Sequence, residues 1–115
     1  MKHVLWKEVS TETLTGLASR QVLHTETMTV ARLELRKGAV VGRHSHGNEQ
    51  ISTVTQGMLR FELGDGEQVI LRAGESLVIP PHLPHSVVAE EDTDVTDVFS
   101  PRREDWIRGE DAYLR

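Results

Sequence analysis

The chain has no cysteine among its 115 residues. That absence excludes disulfides, thiolate zinc sites, iron–sulfur clusters and cysteine nucleophiles, so any metal site must use nitrogen and oxygen ligands. Basic charge is also short. Lys and Arg number 13 against 18 Asp and Glu, a net charge of −5. With no basic excess to neutralise phosphates, nucleic acid is not an expected partner. No segment approaches the roughly 18 apolar residues of a membrane-spanning helix, and no membrane partner is expected. The N-terminal MKHVLWKEVS lacks the apolar stretch of a secretory signal, which makes a cytoplasmic location the expectation. Against these absences the six histidines stand out: His3, His24, His44, His46, His82 and His85.

At 12.9 kDa the chain matches the usual size of one domain, and residues 1–115 are read as one. A short strand is possible at His3–Val9. From Gln21 to Leu35 the pattern is strand-like, with Ala31, Leu33 and Leu35 on one parity and Val30, Arg32 and Glu34 on the other. Further strand-like runs cover Ile51–Gln56, Leu59–Leu63, Val69–Leu71, Leu77–Ile79, Ser86–Ala89 and Asp94–Phe99. They are separated by Gly57, by the hairpin-type Gly64-Asp65-Gly66, by Ala73-Gly74 and by a loop holding Pro80, Pro81 and Pro84. Short strands at this regular spacing predict an all-β sandwich or barrel. After Pro101 the chain becomes charged, and residues 102–115 read as a short helix or extended tail packed on the barrel.

His44 and His46 stand two residues apart. On a strand such residues face the same side, so both imidazoles could reach one ion. Alone the pair is a weak signal, because six histidines in so short a chain produce His-x-His readily. Its frame adds weight. Gly38 precedes the pair and Gly57 closes the segment GAVVGRHSHGNEQISTVTQG, residues 38–57. Downstream, GESLVIPPHLPHSVVA spans residues 74–89 and contains His85. These two segments resemble the two signature motifs of the cupin family, in the right order. The resemblance covers about residues 28–100 and implies an antiparallel double-stranded β-helix, or jelly roll.

Departures from the family pattern bear on the site. Gln50 stands where cupins usually carry glutamate, and Glu49 is one residue too early. In a regular strand 44, 46 and 50 share a face and 49 does not, although a bulge at Gly47-Asn48 would reverse this. The expected ligands of one divalent ion are therefore His44, His46, Gln50 and His85, with Glu49 as the alternative. Imidazole plus amide oxygen suits Zn, Ni, Mn, Fe or Co. Neutral ligands leave the ion its full charge, which favours a small anionic molecule in the open positions. In the second motif His82 replaces the usual glycine and Ala89 the usual asparagine. His82 reads as a loop residue, and His3 and His24 have no assigned role.

The last strand and its exit read DVTDVFSPRREDW, residues 94–106. Asp97 and Phe99 share strand parity, so Asp97 is a candidate acid or base and Phe99 a candidate apolar wall. Arg103 could hold a carboxylate by a bidentate pair, though Arg102 stands beside it and spacing does not separate the two. Taken together, His-x-His-x3-Gln, the PPHLPH loop and this exit resemble the pectin-degradation protein family, whose members open the ring of 4,5-unsaturated monouronates. That resemblance places metal ligands at His44, His46, Gln50 and His85, and turnover residues at Asp97, Phe99 and Arg103. It implies a sugar acid as the small-molecule partner. The family typically has PPRED where this chain has PRRED, and the arginine at 103 is retained.

Other readings stay open beside it. Cupin dioxygenases of the flavonol-cleaving type usually carry glutamate at the place of Gln50. Cupin lyases acting on dimethylsulfoniopropionate usually employ pocket tyrosines, and the single tyrosine here, Tyr113, falls in the tail. A non-catalytic cupin binding a small sugar acid is the alternative of a different class. Cupins also commonly dimerise, and Val4, Leu5 and Trp6 could add an edge strand to a second copy, so a homodimer is expected.

Overall fold

A computed structural model describes all 115 residues. Ten strands follow one another: β1 (Glu12–Thr15), β2 (Ala18–His24), β3 (Thr29–Leu35), β4 (Val40–His44), β5 (Glu49–Gln56), β6 (Met58–Leu63), β7 (Glu67–Arg72), β8 (Ser76–Ile79), β9 (His85–Ala89) and β10 (Thr93–Ser100). A one-turn helix α1 (Glu104–Ile107) and a 3-10 turn at Ala112–Leu114 close the chain. The strands form two antiparallel sheets. One is six-stranded, in the order β1-β2-β3-β10-β5-β8, and the other four-stranded, in the order β4-β9-β6-β7.

Alternation decides which residues meet between the sheets. In β3 the buried positions are Thr29, Ala31, Leu33 and Leu35, and in β6 they are Leu59, Phe61 and Leu63. These apolar rows face each other and join Val54, Leu71, Ile79, Ala89, Val95 and Phe99 in one core. Fully burying a side chain such as Leu or Phe contributes about 1.5–3 kcal/mol, so the leucines and Phe61 of these rows each add measurably to stability. A one-residue slip in either strand would turn its row to water. At Gly57, between β5 and β6, a side chain is excluded on two counts. Its φ is +97°, and a Cβ there would stand 2.3 Å from the Asp92 carbonyl oxygen.

The expected all-β architecture is present, with differences of detail. The N-terminal segment makes a 3-10 turn at Trp6–Glu8 where a strand is expected over His3–Val9. The run 21–35 is two strands joined by a hairpin. There the Thr25 hydroxyl accepts from the Thr27 and Met28 amides, a polar turn with no glycine or proline to announce it. The short β1, mostly exposed, and β4, interrupted by Gly42, carry too little alternation to be read.

Both sheets contribute to one end of the barrel. His44 and His85 are register partners across β4 and β9 of the four-stranded sheet. Gln50 pairs with Phe99, and Ser52 with Asp97, across β5 and β10 of the six-stranded sheet. No helix is long and apolar enough to cross a membrane.

Candidate metal centre and active site

Three imidazoles converge at this end. The ligand-capable nitrogens of His44, His46 and His85 all lie within 4.8 Å of one another. Ring centroids of His44 and His85 are 4.3 Å apart, and that of His46 lies 5.1 Å from His85. The strand argument holds for His44 alone of the His-x-His pair. β4 ends at His44 and β5 starts at Glu49, so His46 sits in the connecting turn. That turn is fixed from below by Asn48, whose side-chain amide donates to the carbonyls of Pro101 (2.5 Å) and Arg102 (3.2 Å).

Backbone carbonyls set the tautomer of every ring. Nδ1 of His44 faces the Gly42 carbonyl at 2.8 Å, Nδ1 of His46 the Asn48 carbonyl at 3.1 Å, and Nδ1 of His85 the Leu83 carbonyl at 2.8 Å. A carbonyl only accepts, so each Nδ1 carries the proton and each Nε2 presents a lone pair. Burial pushes His44 and His46 down to about 4, and pushes His85 down as well. All three are therefore neutral near pH 7, the form that binds metal.

Gln50 is the fourth converging group. It is 5% exposed, whereas Glu49 is exposed and lies opposite Ser100 in the ladder. Its amide is oriented by neighbours. The Asp97 carboxylate accepts from the Ser52 hydroxyl at 2.6 Å, and that hydroxyl accepts from the Gln50 Nε2 amide at 2.9 Å. Oε1 is thereby turned to Nε2 of His46, 3.0 Å away. With the tautomers above, this contact brings two lone pairs together, and the buried Nε2 of His85 has no hydrogen-bond partner. Both defects vanish if a cation sits among these atoms. Three imidazole nitrogens and an amide oxygen fit a divalent transition metal.

Asp97, Phe99 and Arg103 line the same cavity. Burial drives the Asp97 carboxyl up to about 6, against the opposing hydrogen bond from Ser52 and the charge of Arg103. Arg103, only 1% exposed, is the interior arginine, and Arg102 pairs with Glu104 at the outside. Its guanidinium lies over the rings of Phe99 (4.7 Å) and Trp106 (4.5 Å). Its Nε and Nη2 bind the two carboxylate oxygens of Asp105 at 3.0 and 2.8 Å, which leaves the Nη1 side of the guanidinium for any further partner.

Two contributors were not anticipated. Ser52 shares the parity of Gln50, so strand alternation could have pointed to it. Tyr113 had no such signal. The closing turn brings its ring to 4.4 Å from the His44 ring, stacked on it at an interplanar angle of 29°, and its hydroxyl oxygen accepts from Arg103 Nη2 and from Trp106 Nε1. The tail tyrosine is thus a pocket tyrosine, and its place in the sequence no longer counts against a tyrosine-using chemistry. Among the remaining histidines, His24 bonds Thr29 within the β2–β3 hairpin, His3 is exposed, and His82 is an exposed loop residue at φ +67°. That left-handed backbone is what the glycine of the second motif ordinarily supplies.

Two facing antiparallel sheets with inward imidazoles from β4, β9 and the β4–β5 turn define a small barrel of the metal-binding cupin class. The family model for the Cupin domain matches residues 31–99, and the chain belongs to that family. Within it the chain is KdgF-like. It is 34% identical to KdgF from Halomonas sp., whose structure superimposes with a TM-score of 0.81 over 89% of this chain and 96% of that one. It is 27% identical over 104 residues to the pectin degradation protein KdgF of Dickeya dadantii (strain 3937), covering 89% of this chain and 90% of that protein. An RmlC-like cupin from Shewanella frigidimarina NCIMB 400 superimposes with a TM-score of 0.84 at 30% identity, over 92% and 96% of the two chains. Similarity to the nitrosourea synthase of Streptomyces achromogenes subsp. streptozoticus, 32% over 71 residues, spans only 15% of that protein's length.

Proposed function

We propose that this chain is a metal-dependent enzyme that opens the ring of 4,5-unsaturated monouronates, giving the linear 4-deoxy-5-keto form. The observation that carries the reading is the Asp97–Ser52–Gln50 chain, which ties a carboxyl poised near neutrality to the candidate metal ligands. Similarity to KdgF along nearly the whole chain supports the same substrate class.

His44, His46, Gln50 and His85 would hold the ion, which when bound supplies Lewis-acid stabilisation of negative charge on a ligand oxygen. Asp97 takes the proton of the anomeric hydroxyl. The bond from the anomeric carbon to the ring oxygen breaks, and its electron pair stays on that oxygen as an enolate. The proton is returned to C4, so the net change is an isomerisation. A carboxyl held at about 6 is suited to both directions of transfer near pH 7. Phe99, buried between His46 and Trp106, keeps water from that wall of the pocket.

The test is optical. Monouronates released by a pectate or alginate lyase absorb in the near ultraviolet through the conjugated C4=C5 bond. Metal-loaded protein should bleach that band, and Asp97→Asn should not, with its metal content unchanged. A stable band in the presence of metal-loaded wild type refutes ring opening. Oxygen uptake with a phenolic substrate would indicate a dioxygenase, and binding of the uronate without bleaching a sugar-acid receptor.

A further inference from the structure

The cavity lined by His44, Gln50, His85, Asp97, Arg103 and Tyr113 measures about 40 Å³. A water takes about 30 Å³, and an engineered cavity of about 150 Å³ admits a benzene ring. The pocket as it stands is nearer the size of an ion or a water than of a monosaccharide. Tyr113 forms part of its wall. Its ring covers His44, and its oxygen takes one N–H from Arg103 and one from Trp106. Those two donors fill both lone pairs of the phenol oxygen.

The backbone around Tyr113 is anchored on either side. Asp111 is 3% exposed and accepts from Arg20 of β2, and Leu114 is packed in the core. Arg103 is likewise held, by Asp105 and by the edge-to-face pair of Phe99 and Trp106 on which its guanidinium lies. The part free to move is the Tyr113 side chain, which is half-buried and held by one stack and two hydrogen bonds. When it swings out, one N–H of Arg103 Nη2 and that of Trp106 Nε1 lose their partner, the other Nη2 hydrogen staying on Asp105, which is costly unless the incoming ligand takes them over.

We propose that Tyr113 is a displaceable door on this pocket and the residue that selects for acids, because its oxygen occupies the seat of a ligand carboxylate. This deepens the ring-opening reading, on whose pocket it rests. A carboxylate oxygen accepts both N–H groups, and its bond to Arg103 is charge-assisted on both sides, so it outcompetes the neutral phenol. A neutral hydroxyl restores at best what the phenol gave up and has nothing left to offset the lost stack on His44. Opening is therefore favourable for a sugar acid and unfavourable for a neutral sugar.

Tyr113 is the only tyrosine, so uniform 3-fluorotyrosine labelling gives a single fluorine resonance. On Zn-loaded protein, saturated galacturonate should move that resonance towards the position of the unfolded chain, and galactose should leave it in place. By calorimetry, Tyr113→Phe should bind galacturonate about tenfold more tightly than wild type, because the closed form then leaves both donors unpaired. Tyr113→Ala should bind at least as tightly as Tyr113→Phe. An unmoved resonance with galacturonate, an equal shift with galactose, or binding by Tyr113→Phe that is unchanged or weaker overturns the proposal. Failure of the unsaturated substrate to bleach, with these binding results intact, would sink the reaction and leave the door standing.

Discussion

Replacing Asp97 with asparagine should make the metal-free protein more stable at neutral pH while removing its activity. The carboxyl sits in the cavity wall, where burial raises it from an ordinary 3.8 to about 6. Between those values the folded chain keeps a proton that the unfolded chain has released. The unfolded state then binds fewer protons, so this group's contribution to stability falls as pH rises through the window. Above both values the penalty is complete and amounts to about 3 kcal/mol, at 1.36 kcal/mol for each tenfold in proton affinity. Asparagine has no proton to release and keeps an oxygen to accept from the Ser52 hydroxyl. The gain of Asp97→Asn over wild type should therefore be about 0.5 kcal/mol near pH 4, grow between pH 4 and 6, and level off at about 3 kcal/mol by pH 7.

His44, His46 and His85 work in the opposite direction, because burial lowers them and stability rises with pH as their unfolded forms deprotonate. They are common to both proteins and cancel in the difference. Urea unfolding of the two metal-free proteins from pH 4.5 to 8, followed by tryptophan fluorescence, reads that difference directly. A gain that does not vary with pH, or a loss at pH 8, would refute the assignment of a strained buried carboxylate. Stability gained at the same position where turnover is lost is the signature of a residue kept for function.

Three further outcomes follow from single sites. Zinc should raise the melting temperature, and because His44 and His46 stay neutral down to about 4, a competition titration should show zinc retained at pH 5.5; His85→Ala should abolish that retention. His82→Gly should stabilise by about 0.5 kcal/mol in urea unfolding, since a side chain at φ +67° costs about 1 kcal/mol, partly offset by the greater freedom of glycine in the unfolded chain. Gly57→Ala should cost about 3 kcal/mol or more and yield mostly insoluble protein, because the new Cβ meets backbone at Asp92 and the Thr93 hydroxyl 2.4 Å away.

What sequence could show of this molecule depended on the range of the interactions involved. Alternation at 31, 33 and 35 and at 59, 61 and 63 is a local property, and those rows are buried as expected. Gln50 and not Glu49 is the inward residue beside the imidazoles, but the route by which spacing pointed to it is partly mistaken. The anticipated regular strand from 44 to 50 breaks at 45–48, and parity at 50 is set by pairing with Ile79 and Phe99. Arg103 and Arg102 are indistinguishable in sequence because what separates them lies elsewhere in the chain. The Arg103 amide donates to Thr29 on β3, which fixes the turn that sends its side chain inward. Tyr113 is the extreme case. Its position depends on Arg20 binding Asp111 across 91 residues, a pairing with no trace in spacing or periodicity.

The same interior shows why an ion belongs to the folded state. Gln50, Ser52, His85 and Arg103 are all at most 5% exposed and stand beside a core of seventeen buried hydrophobic residues. Most of their polar atoms are satisfied, through Asp97, Leu83, Asp105 and Tyr113. The two exceptions are adjacent: the unpartnered Nε2 of His85, and the facing lone pairs of His46 Nε2 and Gln50 Oε1. An orphaned buried acceptor costs about 1–3 kcal/mol, so an empty centre weakens the end of the barrel where β4, β5 and β9 meet. A cation removes both defects at once and has no counterpart site in the unfolded chain. Binding free energy at this centre is thus folding free energy, and the strand ends that carry the ligands should be the first to loosen when the ion is withdrawn.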